Sequence, residues 1–485
     1  MSVLNIGDDI SPFYSDPMQV GIIIVHVDGD TYPSSTACGD KLTQLHKDLQ
    51  RLDFPYFFVE LVTTNKDIER ELETLRKLYS NEEQIIKYKI REGEFTKSVY
   101  KGDTMCALPW IHKYVNPQGL VMPCCVGNEN YPLGNINHQK LDEISTKPIR
   151  DQMIKGERPD ACSRCWQYED IGIISDRQKA NNDWAVYNNQ KQFKLRFIDI
   201  RLSNKCNLMC RMCSGKFSNR IAQEEEKLYG TTKYKDEVLS PELVEKQFAY
   251  IKENINDIEH VYFAGGEPLI NEEHYRILQL LIDNKKTDVK ISYNTNFSLL
   301  KFKKHNIIDY WSKFNNVIIG ASIDLIGNQS SYVRHGTDYK TLESNYNKIK
   351  NLKNITFRIT SVLHLMNLYN LPELQKRWIE LGVDCKDISF NLLVNPSDQA
   401  ITVLPEHYKN IALVKIHNHL EYLSTIKNSK HLTNQWKQAR DFMKSRSDTH
   451  LLGEFFRLND DKDWVRNQEF EDYFPEFKDL RKYVR

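Results

Sequence analysis

The chain has 485 residues, and its 66 lysine and arginine residues balance its 66 aspartate and glutamate residues. This length predicts two or three domains, each large enough to bury a core without the help of disulfides. The balanced charge gives no bulk field for nucleic acid, a polyanion or a membrane surface, so we expect partners to be recognised locally.

The N-terminus has neither the basic start nor the apolar run of a signal peptide, and the apolar stretch 20–27 is too short to cross a bilayer. We therefore expect a soluble, cytoplasmic protein. In a reducing compartment its ten cysteines favour metal ligation over cystine formation, and eight of them lie between Cys106 and Cys213. Cys38, Cys385 and one of the adjacent cysteines 124 and 125 are expected to be ordinary buried thiols.

Residues 20–90 alternate strand-like runs with polar helical stretches near 40–51 and 65–79, which predicts a small α/β domain of unassigned role over residues 1–100. The strand-like runs cover residues 21–27, 56–62 and 84–90. Asp28 and Asp30 follow the first run and could hold a metal ion, although a solvated turn requires the same residues.

Residues 104–170 contain short apolar pieces and five cysteines, which predicts packing around a metal centre. From residue 194 to 396, six strand-like segments alternate with helices and predict a parallel sheet in an α/β fold, a partial (β/α)6 TIM-like barrel. These segments are 195–202, 260–263, 290–293, 316–322, 356–361 and 387–393. Residues 397–485 predict a helical, aromatic-rich C-terminal extension.

The segment CNLMCRMC, residues 206–213, follows the first barrel strand directly, where parallel α/β folds carry their chemistry. Its three thiolates, Cys206, Cys210 and Cys213, can bind three irons of a four-iron cluster and leave the fourth iron open to an exchangeable ligand. A partial zinc site or three unrelated thiols would show the same spacing.

This CxxxCxxC segment resembles the signature of the radical SAM superfamily, and the GGEP segment after the second barrel strand resembles a cofactor-binding motif of that family. The resemblance implies an enzyme that cleaves S-adenosylmethionine (SAM) at a [4Fe-4S] cluster. It further implies that the resulting 5′-deoxyadenosyl radical abstracts hydrogen from a substrate. The GGEP motif implies contacts with the methionine amino group, and its glycines permit close backbone approach. The residues concerned are Gly265, Gly266, Glu267 and Pro268.

Polar residues after later strands also resemble cofactor contacts of that family. Asn296 and Ser322 follow the third and fourth strands, and Arg334 is expected to act as a fork donor to the methionine carboxylate. A solvated surface arginine is the alternative for Arg334. Asp324 is as well explained by a brace at the end of a strand.

Residues 106–165 resemble a SPASM or twitch module, which carries auxiliary iron–sulfur clusters. The resemblance implies an auxiliary [4Fe-4S] cluster whose ligands are Cys106, Cys124, Cys162 and Cys165. The distance from Gly119 favours Cys124 over Cys125, and a structural zinc would satisfy four thiolates equally. Such modules mostly follow the barrel, whereas this one precedes it, so substrate assignments from relatives are not transferred.

These resemblances imply an external one-electron reductant of the flavodoxin or ferredoxin type and a peptide or small-molecule substrate. Peptide or protein modification is the first expectation, and a sugar or nucleotide substrate is the enzymatic alternative. A non-catalytic iron–sulfur or zinc scaffold is the alternative from another class, and the intact GGEP motif speaks against it.

Overall fold

A computed structural model of the chain describes residues 104–484, except 171–173, 185–186, 188–191, 202 and 235–239, and the backbone of four strands nearer the N-terminus. Asp28, Asp30 and Cys38 lie outside the described residues. None of the helices in the described part of the chain is long and apolar enough to cross a membrane. The chain forms two compact units, one of Met1–Ala107, Asp151–Arg158 and Gly172–Asn189, the other of Leu108–Arg150, Pro159–Ile171 and Gln190–Arg485.

The first unit contains a four-stranded sheet in which all three strand pairs are parallel. Its strands are β1 (Ser2–Asn5), β2 (Ile22–His26), β3 (Tyr56–Val62) and β4 (Ile85–Arg91), in that order. The three predicted strands are present, whereas β1 was not predicted because four residues are too short to show a strand period. The helices predicted near 40–51 and 65–79 lie outside the described residues.

The cysteine-rich region contains a small antiparallel sheet and short helices. Its strands are β5 (Tyr114–Val115), β6 (Leu120–Met122) and β7 (Gly134–Asn135), and its helices are α1 (Leu108–Ile111), α2 (Lys147–Ile154), α3 (Ser163–Asp170) and α4 (Asp176–Asp183). Asn116 closes the turn between β5 and β6, because its side-chain oxygen accepts hydrogen bonds from the backbone of Gln118 and Leu120.

A six-stranded parallel sheet forms the centre of the second unit, and its strands are adjacent in chain order. They are β8 (Phe197–Ile200), β10 (His260–Phe263), β11 (Lys290–Thr295), β14 (Val317–Ala321), β16 (Ile355–Leu363) and β17 (Ile388–Leu392). Each coincides with one of the six predicted segments, which confirms the α/β fold and the partial (β/α)6 architecture. The division of the chain into four domains stays a prediction.

Helices and short strands connect these six strands. The helices are α5 (Asn219–Tyr229), α6 (Pro241–Glu253), α7 (Glu272–Asp283), α8 (Ile307–Trp311), α9 (Gly327–Val333), α10 (Tyr339–Ile349) and α11 (Leu371–Glu380). The short strands are β9 (Met209–Cys210), β12 (Lys301–Phe302), β13 (His305–Asn306) and β15 (Arg334–His335). The C-terminal region adds α12 (Glu406–Ser424), α13 (Lys430–Ser445), α14 (Leu452–Arg466) and α15 (Phe470–Tyr473).

Both edges of the open sheet are covered by other parts of the second unit. Along β8, His112 Nδ1 donates to the carbonyl of Phe197 at 2.9 Å, beside a backbone bond from Arg196 to Ile111. Along β17, the side-chain amide of Gln435 on α13 exchanges two hydrogen bonds with the backbone of Phe390. These contacts satisfy edge groups that would otherwise be open to pairing with another chain.

The fully buried guanidinium of Arg211, inside the cysteine loop, joins that loop to α14. It pairs with Asp463, donates to Asn459 Oδ1 at 3.0 Å and to Gln468 Oε1 at 3.1 Å, and lies 3.5 Å from the ring centroid of Tyr332. Because a buried charge is costly unless it is paired and hydrogen-bonded, the loop depends on α14 for this conformation.

The backbone of Arg211 also makes hydrogen bonds with other parts of the chain. Its carbonyl accepts from Gln399 Nε2 at 3.0 Å and from Lys462 Nζ at 3.1 Å, and its N–H donates to the carbonyl of Val333 at 2.8 Å. Three separate segments therefore fix the position of this one residue.

Arg211→Met should lower the free energy of unfolding of the metal-free protein by about 3–5 kcal/mol, because Asp463 is left buried without its paired cation and keeps only the hydrogen bond from the hydroxyl of Tyr332. The double variant Arg211→Met/Asp463→Leu should recover most of this loss, since neither charge is then buried. Urea unfolding followed by circular dichroism measures both values. Arg457→Met, which removes an exposed pair with Glu454 on the same helix, is the control and should cost no more than about 1 kcal/mol. Equal losses in the single and double variants would contradict the role of the buried pair.

Candidate active site

A cavity of 680 Å³ lies at the carboxyl-terminal ends of the central strands. It brings together eight of the residues predicted from the sequence: Cys206, Cys210, Cys213, Gly265, Gly266, Asn296, Ser322 and Arg334. Glu267 and Pro268 are buried and are not among the described residues that line it. The structure thus gathers the cysteine loop and the ends of three further strands around one space.

The three cysteines of the loop occupy a mostly buried environment. Cys210 lies on β9, which pairs with β15 so that Cys210 is opposite Arg334, and the N–H of Cys213 donates to the carbonyl of Cys210 at 3.0 Å. Burial raises the pKa of Cys206 and that of Cys213 to about 12, and the nearby Cys210 also raises both. Iron binding would therefore have to displace the thiol protons, as is general for thiolate ligands.

The glycines of the GGEP segment allow its backbone to approach the cysteine loop closely. Gly265 and Gly266 have φ angles of +77° and +32°. A Cβ atom on Gly266 would lie 2.1 Å from the carbonyl oxygen of Lys205, and that same oxygen accepts a hydrogen bond from the N–H of Glu267 at 2.7 Å. A side chain at position 266 would therefore separate the two loops.

Glu267 connects the GGEP segment to the end of β11. Its Oε1 accepts from Thr295 Oγ1 at 2.6 Å and from the N–H of Leu269 at 3.1 Å, while its Oε2 accepts from the N–H of Asn296 at 2.7 Å. Burial raises the pKa of Glu267 to about 7, although these hydrogen bonds lower it. Its predicted contact with the methionine amino group stays a prediction, because in this structure its oxygens bind the protein.

Asn296 extends this connection to the cysteine loop. Its side-chain amide donates to Asn207 Oδ1 at 2.8 Å, and Asn207 Nδ2 donates to Ser298 Oγ at 2.8 Å. Ser322 donates its backbone N–H to the carbonyl of Thr295 at 2.8 Å, so β14 is joined to the same group. Neighbouring strand ends are thereby held together at the cavity.

Arg334 is buried and its guanidinium is engaged by protein groups. Its Nε donates to Asp324 Oδ2 at 2.7 Å, and its Nη1 lies 3.6 Å from Cys210 Sγ, within donor distance of sulfur. Asp324 also accepts from the N–H of Val362 at 2.8 Å, which agrees with a brace at the strand end. Arg334 is therefore not a solvated surface residue, and its predicted contact with the methionine carboxylate stays a prediction.

The donor set of the cavity fits a four-iron cluster with one open iron. Three soft thiol ligands line one space, and each would bind a different iron. In the part of the chain that the structure describes, no group of three or more His, Cys, Asp or Glu side chains is arranged to hold a single metal ion. Each ligand of a multi-iron cluster binds a different iron, so the three cysteines need not converge on a single ion to fit such a cluster.

The predicted auxiliary ligands lie on short segments of the cysteine-rich region. Cys106 is buried shortly before α1, and Cys162 ends a short 3-10 helix that leads into α3, where Cys165 is buried. Cys124 and Cys125 are both half-buried, so burial does not distinguish them.

Hydrogen bonds join the loop after β6 to the segment of Cys162. The N–H of Asn128 donates to the carbonyl of Ala161 at 2.9 Å, and its side chain donates to Ser163 Oγ at 3.2 Å. These bonds hold the segment that follows Cys124 and Cys125 next to the residues on either side of Cys162.

Several cavity residues were not predicted from the sequence. Asp398, Gln399, Leu458 and Lys462 belong to the C-terminal region and line the same space as the cysteines. They lie about 190 to 250 positions from the cysteine loop along the chain, so no local spacing could indicate them.

Comparison with known proteins gives two family matches. The radical SAM superfamily matches residues 200–383, and the SPASM iron–sulfur cluster-binding domain matches residues 106–166. The radical SAM cyclopropyl synthase TigE of Paramaledivibacter caminithermalis is 29% identical over 153 residues, which is 30% of this chain and 30% of that protein. The match therefore spans less than a third of this relative.

Two solved structures are similar at low identity. Native anSMEcpe with bound AdoMet is 17% identical, with a TM-score of 0.34 over 52% of this chain and 63% of that one. SuiB of Streptococcus suis bound to S-adenosylmethionine is 14% identical, with a TM-score of 0.31 over 67% of this chain and 69% of that one.

Glu267→Ala should weaken SAM binding about tenfold or more, because the loss of charge-assisted hydrogen bonds releases the GGEP segment from β11. Iron content should remain unchanged, since the three cysteines are intact. Anaerobic calorimetry measures the affinity. Thr295→Val, which removes one donor to Glu267, should show a smaller loss, and the double variant should lose less than the sum of the two. Strictly additive losses would indicate that Glu267 acts independently of β11.

Proposed function

We propose that this chain cleaves SAM reductively and abstracts hydrogen from an organic substrate. It belongs to the radical SAM superfamily and carries a SPASM domain ahead of its radical SAM domain. The observation that carries this proposal is the cavity shared by the CxxxCxxC cysteines, the GGEP glycines and the ends of β11 and β14. A scaffold without catalysis has no need of a glycine loop held against a three-cysteine site.

The proposal gives each group of cavity residues a separate task. When bound, the cluster and SAM supply the reducing electron and the radical chemistry. Cys206, Cys210 and Cys213 would hold the cluster, and the donor contact from Arg334 Nη1 to Cys210 Sγ would stabilise that ligand as a thiolate. The ends of β11 and β14 line the same cavity as the cysteines and would provide polar groups to the cofactor.

Peptide or protein modification is the substrate class that we favour. The cavity is bordered by the partly exposed rings of Phe217 and Tyr229, together with Leu228 and Leu458. Aromatic rings of this kind give an apolar face to a peptide side chain and suit recognition at an accessible rim. A sugar or nucleotide substrate is the competing outcome of the assay below.

The required partner is an external one-electron reductant of the flavodoxin or ferredoxin type. We propose the cytoplasm as the location, because reduced thiolates for two clusters are maintained in a reducing compartment. The auxiliary [4Fe-4S] cluster on Cys106, Cys124, Cys162 and Cys165 is proposed to transfer electrons, since four protein ligands leave no open iron.

Cys206→Ala, Cys210→Ala and Cys213→Ala should each abolish formation of 5′-deoxyadenosine from SAM, because two thiolates do not retain the cluster that the cleavage needs. The assay is anaerobic incubation with dithionite, followed by chromatography. Cys385→Ala, at a buried cysteine of the barrel outside the cavity, is the matched control and should keep its activity. Full turnover in any triad variant would remove that cysteine from the site.

Stimulation of the wild-type reaction by sugars or nucleotides, and not by peptides, would overturn the favoured substrate class.

The triple alanine variant at positions 206, 210 and 213 should retain about four irons per chain, because the auxiliary cluster has its own ligands. Iron analysis and absorption spectra of the reconstituted protein measure this. Cys124→Ala should lose or weaken one cluster, whereas Cys125→Ala should keep both. Iron near zero in the triple variant, or iron loss from Cys125→Ala alone, would contradict the ligand set. Zinc as the bound metal would favour the structural alternative.

A further inference from the structure

A second cavity, of 600 Å³, reaches the cysteine loop through a different part of the surface. Among the described lining residues, Cys206 is the one that it shares with the 680 Å³ cavity. Its other walls come from the starts of α6 and α7, from Lys205, and from Phe302 and Lys303 on the β12–β13 hairpin. Cys206 can therefore be approached from a side of the loop that the other predicted cofactor-binding residues do not line.

The second cavity is open to solvent and its rim is charged. Several lining side chains, including Lys205, Glu245, Glu272 and Lys303, are exposed. The hairpin brings Lys301, Lys303 and Lys304 together within four residues, and all three side chains are exposed.

The three carboxylates that line the cavity are ion-paired with two cations, and three further lysines at the cavity and on the hairpin give this surface a net positive charge. Arg276 binds both Glu245 and Glu273, and Lys303 binds Glu272 at 2.9 Å. Lys205 lines the cavity, and Lys301 and Lys304 lie on either side of the lining residues Phe302 and Lys303 along the hairpin. These three lysines are exposed and make no ion pair with a described residue, so their charges are available to an external partner.

We propose that this rim is the docking surface for an acidic one-electron carrier protein, and that electrons enter the cluster on the side of Cys206. The inference rests on the proposed function, because it requires the cluster on the three cysteines. Complementary charge steers such encounters and mainly increases the association rate. Electron transfer also becomes slower with distance, so a carrier seated over the accessible ligand is better placed than one elsewhere on the surface.

The transfer step is a simple exchange of one electron. The reduced carrier donates one electron and becomes oxidised, and the oxidised cluster accepts that electron and becomes reduced. No bond is formed or broken and no proton is required. The carrier approaches through the other cavity, so the 680 Å³ cavity stays available to SAM and substrate while this occurs.

The test variant is Lys301→Glu/Lys304→Glu, which reverses two exposed charges and leaves Lys205 beside the cluster loop intact. Reduction of the reconstituted cluster by a reduced flavodoxin is followed by stopped-flow absorption. At low salt the rate should fall about tenfold or more, and the difference from wild type should shrink at high salt because screening weakens the steering. Dithionite, an anion, and reduced methyl viologen, a cation, should each reduce the variant at close to the wild-type rate.

Lys427→Glu/Lys437→Glu is the matched control, since it reverses two exposed lysine charges in the C-terminal region. It should leave reduction by flavodoxin at the wild-type rate. An unchanged rate in the hairpin variant, or an equal loss with all three reductants, would overturn the docking proposal. A hairpin variant that is normal with flavodoxin and loses only peptide-dependent turnover would assign the rim to the substrate instead. Failure of the wild-type protein to cleave SAM with dithionite would refute the proposed function itself and is a separate result.

Discussion

The buried charge of Arg211 is the constraint on which the active-site region depends. This residue lies between two of the cysteines, so the loop that carries them brings a guanidinium into the interior. A desolvated cation is tolerated only with a complete set of partners, and Asp463 and Asn459 on α14 supply part of that set. The cysteine loop and the C-terminal region therefore form one structural unit, although they lie far apart in the chain. The C-terminal region also completes the cavity with Gln399 and Lys462.

Buried carboxylates organise the rest of the cavity by the same principle. Glu267 joins the GGEP segment to β11, and Asp324 joins Arg334 to β16 through Val362. Each of these carboxylates accepts hydrogen bonds from two different segments, so it fixes a distance between strand ends. In this region the ionisable side chains of Glu267 and Asp324 hold the loops in position. The three cysteines and the glycine backbone are then held around one cavity, where a cluster and its cofactor would need them.

The open sheet places the two cavities and the cysteine-rich region around one loop. A partial barrel has two edges, and here residues 111–112 cover one while α13 covers the other. The edge strand β8 leads directly into the cysteine loop, so the cysteine-rich region lies next to the strand that precedes the three cysteines. Lys216, shortly after Cys213, pairs with Glu129 of that region at 2.7 Å. The region that matches the SPASM domain is thus joined to the region that matches the radical SAM superfamily at the loop that carries the triad.

The sequence by itself determined the six central strands, the cysteine triad and the GGEP loop. These are local signals: strand periodicity is visible within a few residues, and the ligand spacing within eight. It also indicated that Asp324 could brace a strand end. Only the tertiary structure decided that Glu267 binds β11, that Arg334 contacts Cys210, and that Arg211 requires Asp463. The partners in these contacts are separated by about 30 to 250 positions, and packing alone brings them together. A buried charge must find its partner in space, and a single sequence carries no spacing that names that partner.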